Sequence, residues 1–337
     1  IKDRPVVLGL IGTSGAHGGG LKSRASFAML GNDPKAFIPS FAAGTANYPA
    51  LQQAARGIGA LNWFPEQDQI VRRVPMIIRI GQQTFPSLTA ETLRLVSDTK
   101  TISVWSSTAS GELDVGNETG IASVQIGPLE IATDASGQVW LAFSRHDPRR
   151  FISALDIFDG KTEQSEIKGK IVLIGTTAPG LFDLRATPLD AALPGVEVHA
   201  QALEQILTGQ TLLRPDYSTG MEILFMVAFA LLLAVVSYYA GALVGALLGG
   251  STVVAVLAIA WLAYSHAGIL IDPVYPTVVA TAVYIFSSVF FYFQTERDRN
   301  QVRRAFAQYM APSFVEQLTR QPERLRLGGE TRTLTIM

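Results

Sequence analysis

Residues 221–239 read MEILFMVAFALLLAVVSYY, residues 242–264 read ALVGALLGGSTVVAVLAIAWLAY, and residues 274–293 read VYPTVVATAVYIFSSVFFYF. No Asp, Glu, Lys or Arg occurs between Glu222 and Asp272. A helix of a soluble protein needs only one apolar stripe, whereas these blocks are apolar all round. Each block is also close to the roughly 20 residues that cross about 30 Å of hydrocarbon. We therefore predict three transmembrane helices, at residues 219–239, 242–265 and 274–293.

Small residues recur at the start of the second predicted span, at Gly241, Gly245 and Gly249. Glycines four residues apart allow two helices to approach closely, so we predict helix packing there. The alternative is the general enrichment of glycine in membrane helices. No charged residue lies in the middle of a span, which argues against an ion or proton pathway and weakens a transporter interpretation.

The basic residues around the spans are distributed unevenly. Arg297, Arg299, Arg303 and Arg304 follow the third span, and Arg214 alone precedes the first. By the positive-inside rule the C-terminus is cytoplasmic, and three spans then place residues 1–215 outside. We expect a multi-pass protein of the bacterial inner membrane, with residues 1–215 periplasmic or extracellular.

Composition limits the remaining possibilities. The 337 residues suffice for a domain and a membrane bundle, and the net charge of −1 gives no reason to expect a nucleic-acid partner. The absence of cysteine excludes disulfides, thiol catalysis and cysteine-bound zinc. Both ends lie within strand-like sequence, and the first residue is not Met, so we expect truncation at each end.

The part before the membrane has an α/β pattern. We predict strands at residues 6–12, a helix after Pro86-Ser87, and a hairpin of residues 129–133 and 139–143 around an Asp134–Gly137 turn. The unbroken run Ile171–Ile174 predicts a strand covered on both faces. A helix from Val196 to Leu207, with Leu203, Ile206 and Leu207 towards the core, should end at Gly209.

Two further features leave alternatives open. The glycine-rich loop of residues 15–20 resembles a phosphate loop, but Leu21 separates its last glycine from Lys22-Ser23, so the sequence favours a flexible surface loop over a nucleotide-binding one. Arg72 and Arg73 are adjacent in a strand and point to opposite faces, so they form either structural ion pairs or a solvated edge.

Several motifs resemble one family, the CHASE2 sensor domains. They are Val71-Arg72-Arg73-Val74-Pro75 with Pro86-Ser87-Leu88, the run 169–178 (GKIVLIGTTA), residues 183–189 (DLRATPL) and residues 193–203 (LPGVEVHAQAL). The resemblance implies an extracytoplasmic α/β sensor domain, a mixed sheet flanked by helices, over residues 1–215. It also implies a three-helix transmembrane bundle after the domain and an unknown extracytoplasmic ligand or protein as partner.

The polar residues Asp183, Arg185 and His199 form our candidate sensor pocket. The competing interpretation is structural. In it, an Asp183–Arg185 pair holds the long loop, and His199 is hydrogen-bonded near a helix start.

Beyond the membrane we predict a cytoplasmic coupling helix and linker at residues 294–330, with Val302, Phe306 and Tyr309 on its contact face. Residues 304–312 and 327–337 resemble the segment that leads into a class III nucleotide cyclase. Residues 331–337 would then begin that domain, which would bind Mg²⁺ or Mn²⁺ through carboxylates beyond Met337. On this interpretation the chain itself contains no catalytic, cofactor-binding or metal-binding residue.

The resulting hypothesis is the sensor, membrane and coupling portion of a homodimeric receptor adenylate cyclase in the lipid bilayer. One alternative keeps the sensor and replaces the output with a histidine or Ser/Thr kinase. Another is a non-enzymatic membrane protein for binding, transport or assembly.

Overall fold

A computed structural model of the chain describes residues 2, 4–15, 21–106, 120–177, 183–215 and 217–307. The chain divides into two compact units. The first comprises residues 1–219 and 260–271, and the second comprises residues 220–259 and 272–337. The predicted strands of the first unit and the predicted helices of the second are described in turn.

Mixed sheets form the centre of the first unit, as predicted. In one, β1 (Val7–Thr13) lies between β4 (Ala43–Thr45), to which it is antiparallel, and β5 (Gly57–Ala60), to which it is parallel. In another, the order is β11-β10-β9-β2, formed by Leu129–Ala132, Ile121–Ile126, Thr101–Ser106 and Ser26–Leu30. The shorter strands are β3 (Ser40–Phe41), β6 (Arg73–Pro75), β7 (Ile77–Ile80), β8 (Gln83–Pro86), β12 (Gln138–Trp140), β13 (Leu184–Arg185) and β14 (Leu193–Pro194).

Five helices belong to this unit: α1 (Pro49–Ala54), α2 (Leu88–Val96), α3 (Ala154–Phe158), α4 (Gln164–Ile167) and α5 (Gly195–Leu207). The predicted start of α2 is confirmed, because the Ser87 hydroxyl accepts a hydrogen bond from the Ala90 N–H and caps the helix. Both α2 and α5 contribute to one large apolar core that includes Leu93, Val198 and Leu203. Burial against the sheets therefore holds these two helices in place.

An ion pair is buried within α2. The Glu91 carboxylate has no exposed surface and accepts from Arg94 Nε and Nη2 at 2.8 Å each. Glu91 also accepts from the Ile58 N–H, and Arg94 donates to the Thr99 carbonyl. The bond with Ile58 links α2 to β5, and the bond with Thr99 links it to the segment just before β9.

One predicted hairpin is wrong. The turn at Asp134–Gly137 exists, with Gly137 N donating to the Asp134 carbonyl. However, β11 before the turn pairs with β10, whereas β12 after it pairs with β6. The local turn signal was correct, but the two strands that it joins belong to different sheets.

The predicted buried strand at Ile171–Ile174 is also wrong. This run is not part of any sheet among the described residues, and Ile174 is 97% exposed. Leu173 packs against the core, and Gly175 lies against the Val196 side chain. The run therefore packs against the domain through Leu173, while Ile174 points to the surface.

The helix predicted at residues 196–207 is confirmed by α5. Gly209 follows it with φ of +72°, the left-handed conformation that the predicted helix stop requires. Leu203 is buried and Ile206 packs against the core, but Leu207 is 47% exposed, contrary to its predicted inward position.

Three helices are long and apolar enough to span a membrane: Ser218–Ala240, Leu243–Ala267 and Val274–Gln301. The backbone is helical throughout α6 (Ser218–Leu262), yet Gly249 contacts Leu233 and Gly245 contacts Ser237. In a straight helix Leu233 and Gly249 would be about 24 Å apart. The chain therefore reverses direction near residue 241 and forms an antiparallel helical hairpin.

The third apolar helix is α7 (Val274–Ala307). Its start is capped by Asp272, whose carboxylate accepts from the Val274 N–H, and Glu222 accepts from the Asp272 N–H at 3.0 Å. Phe291 of α7 packs against Tyr238 of α6. Most large apolar side chains of these helices remain exposed, including Leu243 and Phe286, and form a surface suited to lipid.

A backbone contact closes the base of the hairpin. Leu213 N donates to the Gly268 carbonyl, and Leu270 N donates to the Leu213 carbonyl, both at 2.9 Å. Gly268 has φ of +64°, and a Cβ there would overlap the Thr211 carbonyl oxygen. The segments before the first span and after the second are therefore adjacent. We call this contact the hairpin clip.

Candidate functional site

A cleft lined by polar and charged side chains lies next to the start of the first span. We call it the junction cleft. Its volume is about 280 Å³, and it is lined by Arg73, Asp134, Ala135, Ser136, Trp140, Arg214, Pro215 and Thr219. These residues come from β6, the Asp134 turn, β12 and the segment that connects α5 to α6, so tertiary folding brings them together.

The pairing of β6 with β12 places Trp140 directly opposite Arg73. The Arg73 guanidinium carbon stands 4.8 Å from the centroid of the Trp140 ring, within the range of a cation–π interaction. Arg73 Nη1 also donates to Asp134 Oδ2 at 2.7 Å, and Nη2 lies 3.3 Å from Glu66 Oε1. The guanidinium is thereby held in a fixed orientation at the wall of the cleft.

The neighbouring arginine was predicted to point to the opposite face, but both guanidinium groups contact the same carboxylate, that of Glu66. The alternation of a strand does not apply to Arg72, because β6 begins at Arg73. Arg72 pairs with Asp68 at 2.7 Å and with Glu66 at 3.0 Å. The hydrogen bond from Arg72 holds the pKa of the Asp68 carboxyl below its usual value. Of the two alternatives for Arg72 and Arg73, structural ion pairs are therefore confirmed.

Asp134 organises the turn beside the cleft. Its Oδ1 accepts from Ser136 N at 2.9 Å, Ser136 Oγ at 2.7 Å and Gln138 N at 2.9 Å, while Oδ2 receives the bond from Arg73. The carboxylate thus has four protein donors. Its role is to hold the turn and Arg73.

The predicted pocket residues occupy two different environments. Asp183 and Arg185 pair at 3.6 Å on the β13–β14 hairpin, and each side chain is about a third exposed. Desolvation raises the pKa of Asp183, and the charge of Arg185 opposes that shift. The Asp183 carbonyl accepts from Gly195 N, which fixes the hairpin to the start of α5.

His199 lies in the core, where it is 2% exposed. Its Nδ1 is 2.9 Å from the Thr89 hydroxyl, and its ring packs on Trp63 with centroids 4.4 Å apart. Burial lowers the pKa of His199 from 6.5 to about 3, so the ring is neutral at physiological pH. No contact in the described part of the chain joins it to Asp183 or Arg185.

A polar stripe on α5 was missed from the sequence. The Gln205 side chain accepts a hydrogen bond from Ala142 N and donates one to the Trp140 carbonyl. The Gln201 side chain accepts a hydrogen bond from Ser144 N and donates one to the Ser144 carbonyl. Glu197, which is buried, lies 2.6 Å from His146 Nδ1. The four-residue spacing of Glu197, Gln201 and Gln205 on an otherwise apolar helix was the available signal. The stripe anchors the segment that follows β12, and hence Trp140.

The predicted helix-packing and coupling residues are described in part. Gly245 and Gly249 lie at the close approach of the hairpin, against Ser237 and Leu233. The surroundings of Gly241, and the side chains of Val302 and Phe306, lie outside the described structure. Tyr309 lies outside the described residues altogether.

The chain is an α/β domain whose sequence continues directly into helices that are able to span a membrane. The chain matches the family model of the CHASE2 domain over residues 8–236, more than half of its length. It therefore belongs to the CHASE2 family. No curated protein and no solved structure matches the chain significantly.

Proposed function

We propose that the chain is the sensor, membrane and coupling portion of a receptor adenylate cyclase. The CHASE2 domain receives an extracytoplasmic signal, and the helices carry it to a cyclase that makes cyclic AMP from ATP. The single observation that carries the proposal is the direct continuation of this domain into three apolar helices.

The hairpin clip supports the proposed topology. The hydrogen bonds between Leu213 and residues 268–270 join the segment before the first span to the segment after the second, as two helices that cross a membrane and return would require. With α7 as a third span, the proposed topology has a cytoplasmic C-terminus. The four arginines at residues 297–304 support that orientation through the positive-inside rule.

The length of α7 supports the coupling role. The apolar part, residues 274–293, accounts for about 30 Å, and the helix continues to Ala307 for about 20 Å more. One continuous helix thus joins the hydrocarbon to the polar sequence that resembles the approach to a class III cyclase. In such an enzyme two copies of the chain would form a homodimer, and the carboxylates for Mg²⁺ or Mn²⁺ would belong to the cyclase domain.

The test is cyclic AMP production by the full-length parent protein in bacteria that lack their own adenylate cyclase. We expect production from the full-length protein and none after truncation at Met337. Matched expression and membrane insertion of the truncated protein serve as the control. Phosphorylation of the protein without cyclic AMP would favour the kinase alternative, and neither activity would favour a binding or transport protein.

A further inference from the structure

We propose that the CHASE2 domain associates with a second copy of itself through residues 151–174, which we call the exposed segment. The proposal deepens the proposed function and rests on it in one respect, because a homodimeric cyclase brings two copies of the chain together. It starts from burial. No residue of the exposed segment is buried, although the segment includes two helices, α3 and α4, and the strand-like run Ile171–Ile174.

The exposed segment carries a large apolar surface. A fully exposed apolar side chain presents on the order of 150 Å². Seven such side chains of the segment are between 39% and 97% exposed and together present roughly 600 Å² per copy, as much as the largest apolar patch of a typical monomer. Two copies would bury about 1,200 Å², the lower end of the range for specific interfaces. The seven residues are Ile152, Leu155, Ile157, Phe158, Ile171, Val172 and Ile174.

Both ends of the exposed segment are attached to α5. Before the segment, Arg150 pairs with Glu204 at 2.7 Å, and after it Gly175 lies against the Val196 side chain. Val196 and Glu204 are eight residues apart in α5, which corresponds to about 12 Å along the helix axis. The segment therefore leaves and rejoins the domain on the same side, and its apolar side chains lie over that side.

The run Ile171–Ile174 offers its backbone as well as its side chains. Its residues form no hydrogen bond with any other described residue, and three of the four are β-branched. An unpaired extended run of this kind is able to add to another extended chain. In a two-fold antiparallel pair centred between Val172 and Leu173, Lys170 of each copy would lie opposite Gly175 of the other. The two lysines would then be at opposite ends of the pair, so like charges would not meet.

The charges of the exposed segment suit a second copy better than a lipid surface. The segment contains four carboxylates and three lysines, and an anionic bilayer surface would attract it weakly at most. Lys161 lies within 4 Å of two of the carboxylates, those of Asp156 and Asp159. The other charges are exposed, form no ion pair among the described residues and are equal in number of each sign. They are Glu163, Glu166, Lys168 and Lys170.

The test uses the whole chain in bacterial membranes. Because the chain has no cysteine, a single substitution supplies the only thiol. Ile174→Cys places it in the exposed segment, and Leu51→Cys places it at an exposed apolar position of α1 as the control. After treatment with a short bis-maleimide reagent, we expect a covalent dimer from the first variant and little or none from the second.

A second substitution tests the surface itself. Val172→Lys, added to Ile174→Cys, should lower the yield of covalent dimer roughly tenfold, as expected for a charge placed at the centre of an interface. Val96→Lys, at an exposed position of α2, should leave the yield unchanged in the same background. Equal melting temperatures of the purified variants control for folding.

The proposal is overturned if the two cysteine variants give equal yields of dimer, or if Val172→Lys and Val96→Lys have equal effects. It is also overturned if Ile174→Cys gives no dimer. Its reaction with a monofunctional maleimide then identifies the reason: a thiol that reacts only in detergent is covered by the bilayer, and one that reacts in the chain but not in the full-length parent is covered by another part of the parent. Production of cyclic AMP without this cross-link would remove the present proposal alone, and the cross-link without cyclic AMP would remove the proposed function alone.

Discussion

Arg73 and Trp140 face each other across the β6–β12 pair, with the guanidinium carbon 4.8 Å from the ring centroid. The two strands are far apart in the sequence and meet only in the folded domain. Asp134 lies at the turn that leads into β12. The contact between Arg73 and Trp140 therefore forms only when β6 and β12 are paired beside the junction cleft.

Replacing Asp134 tests that corner. Asp134→Ala removes the acceptor of four hydrogen bonds and leaves Arg73 with Glu66 as its remaining ion-pair partner. We expect a loss of about 2–3 kcal/mol in the free energy of unfolding, because all four bonds are made to an ionised carboxylate that is mostly buried. Chemical denaturation of the chain in detergent measures it. Asp33→Ala, at an exposed carboxylate, is the control, and an equal loss in both variants would contradict the assignment.

The buried pair of α2 gives a larger effect. Arg94→Ala leaves Glu91 charged in the core, which is expected to cost about 3–5 kcal/mol of unfolding free energy. The control is Arg149→Ala, at a guanidinium whose side chain is 90% exposed beside Asp147. In the double variant Glu91→Leu with Arg94→Leu, part of the stability should return. An effect of Arg94→Ala no larger than that of Arg149→Ala in denaturation experiments would contradict a stabilising role of the buried pair.

His199 makes the stability of the domain depend on pH. Its pKa is about 3 when folded and about 6.5 when unfolded, so only the unfolded chain gains a proton between these values. Stability is therefore fully present above pH 6.5 and falls as the pH is lowered towards 3, by up to about 1.4 kcal/mol per pH unit.

The measurement is the denaturation midpoint as a function of pH, for the original chain and for His199→Asn. We expect a smaller slope below pH 6.5 in the variant. If the variant keeps the slope of the original chain, the dependence arises from other groups.

Alanine substitutions at two glycines separate the contribution of the hairpin clip to stability from the cost of a positive φ alone. Gly268 and Gly160 both have positive φ, +64° and +71°, but a Cβ at Gly268 would overlap the Thr211 carbonyl, whereas Gly160 has open space around it. Gly160→Ala should cost only the strain, about 1 kcal/mol. Gly268→Ala should lower the melting temperature clearly more, because the new Cβ must also push the Thr211 carbonyl, two residues before Leu213, away from Gly268. Equal melting temperatures for the two variants would mean that the clip contributes nothing.

The membrane helices could be predicted from the sequence because their signal is local. The 49 residues from 223 to 271 contain no Asp, Glu, Lys or Arg, which permits few structures. The spans at 218–240, 243–267 and 274–301 differ from the predicted ones mainly at their ends. The start of α2 at Ser87 and the stop of α5 at Gly209 were predictable for the same reason, since each depends on a single capping position.

The sheet pairing could not be predicted, because it depends on partners far along the chain. The turn at Asp134 does not reveal that β12 pairs with β6, about 65 residues earlier, instead of β11. The run Ile171–Ile174 has strand composition, but composition does not say whether a neighbouring strand is present.

The junction cleft was out of reach for the same reason. Arg73, Asp134 and Arg214 are separated by most of the domain sequence, and each taken alone has the pattern of an ordinary surface residue. His199 could be recognised as a notable residue, but its burial against Trp63 depends on the packing of α5.

The hairpin clip limits how movement can pass into the bilayer. Leu213 is bonded on both sides to the chain that leaves the second helix, and it also leads into the first. A displacement of Leu213 is thus applied to both helices at once, which is incompatible with a piston stroke of one helix past its neighbour.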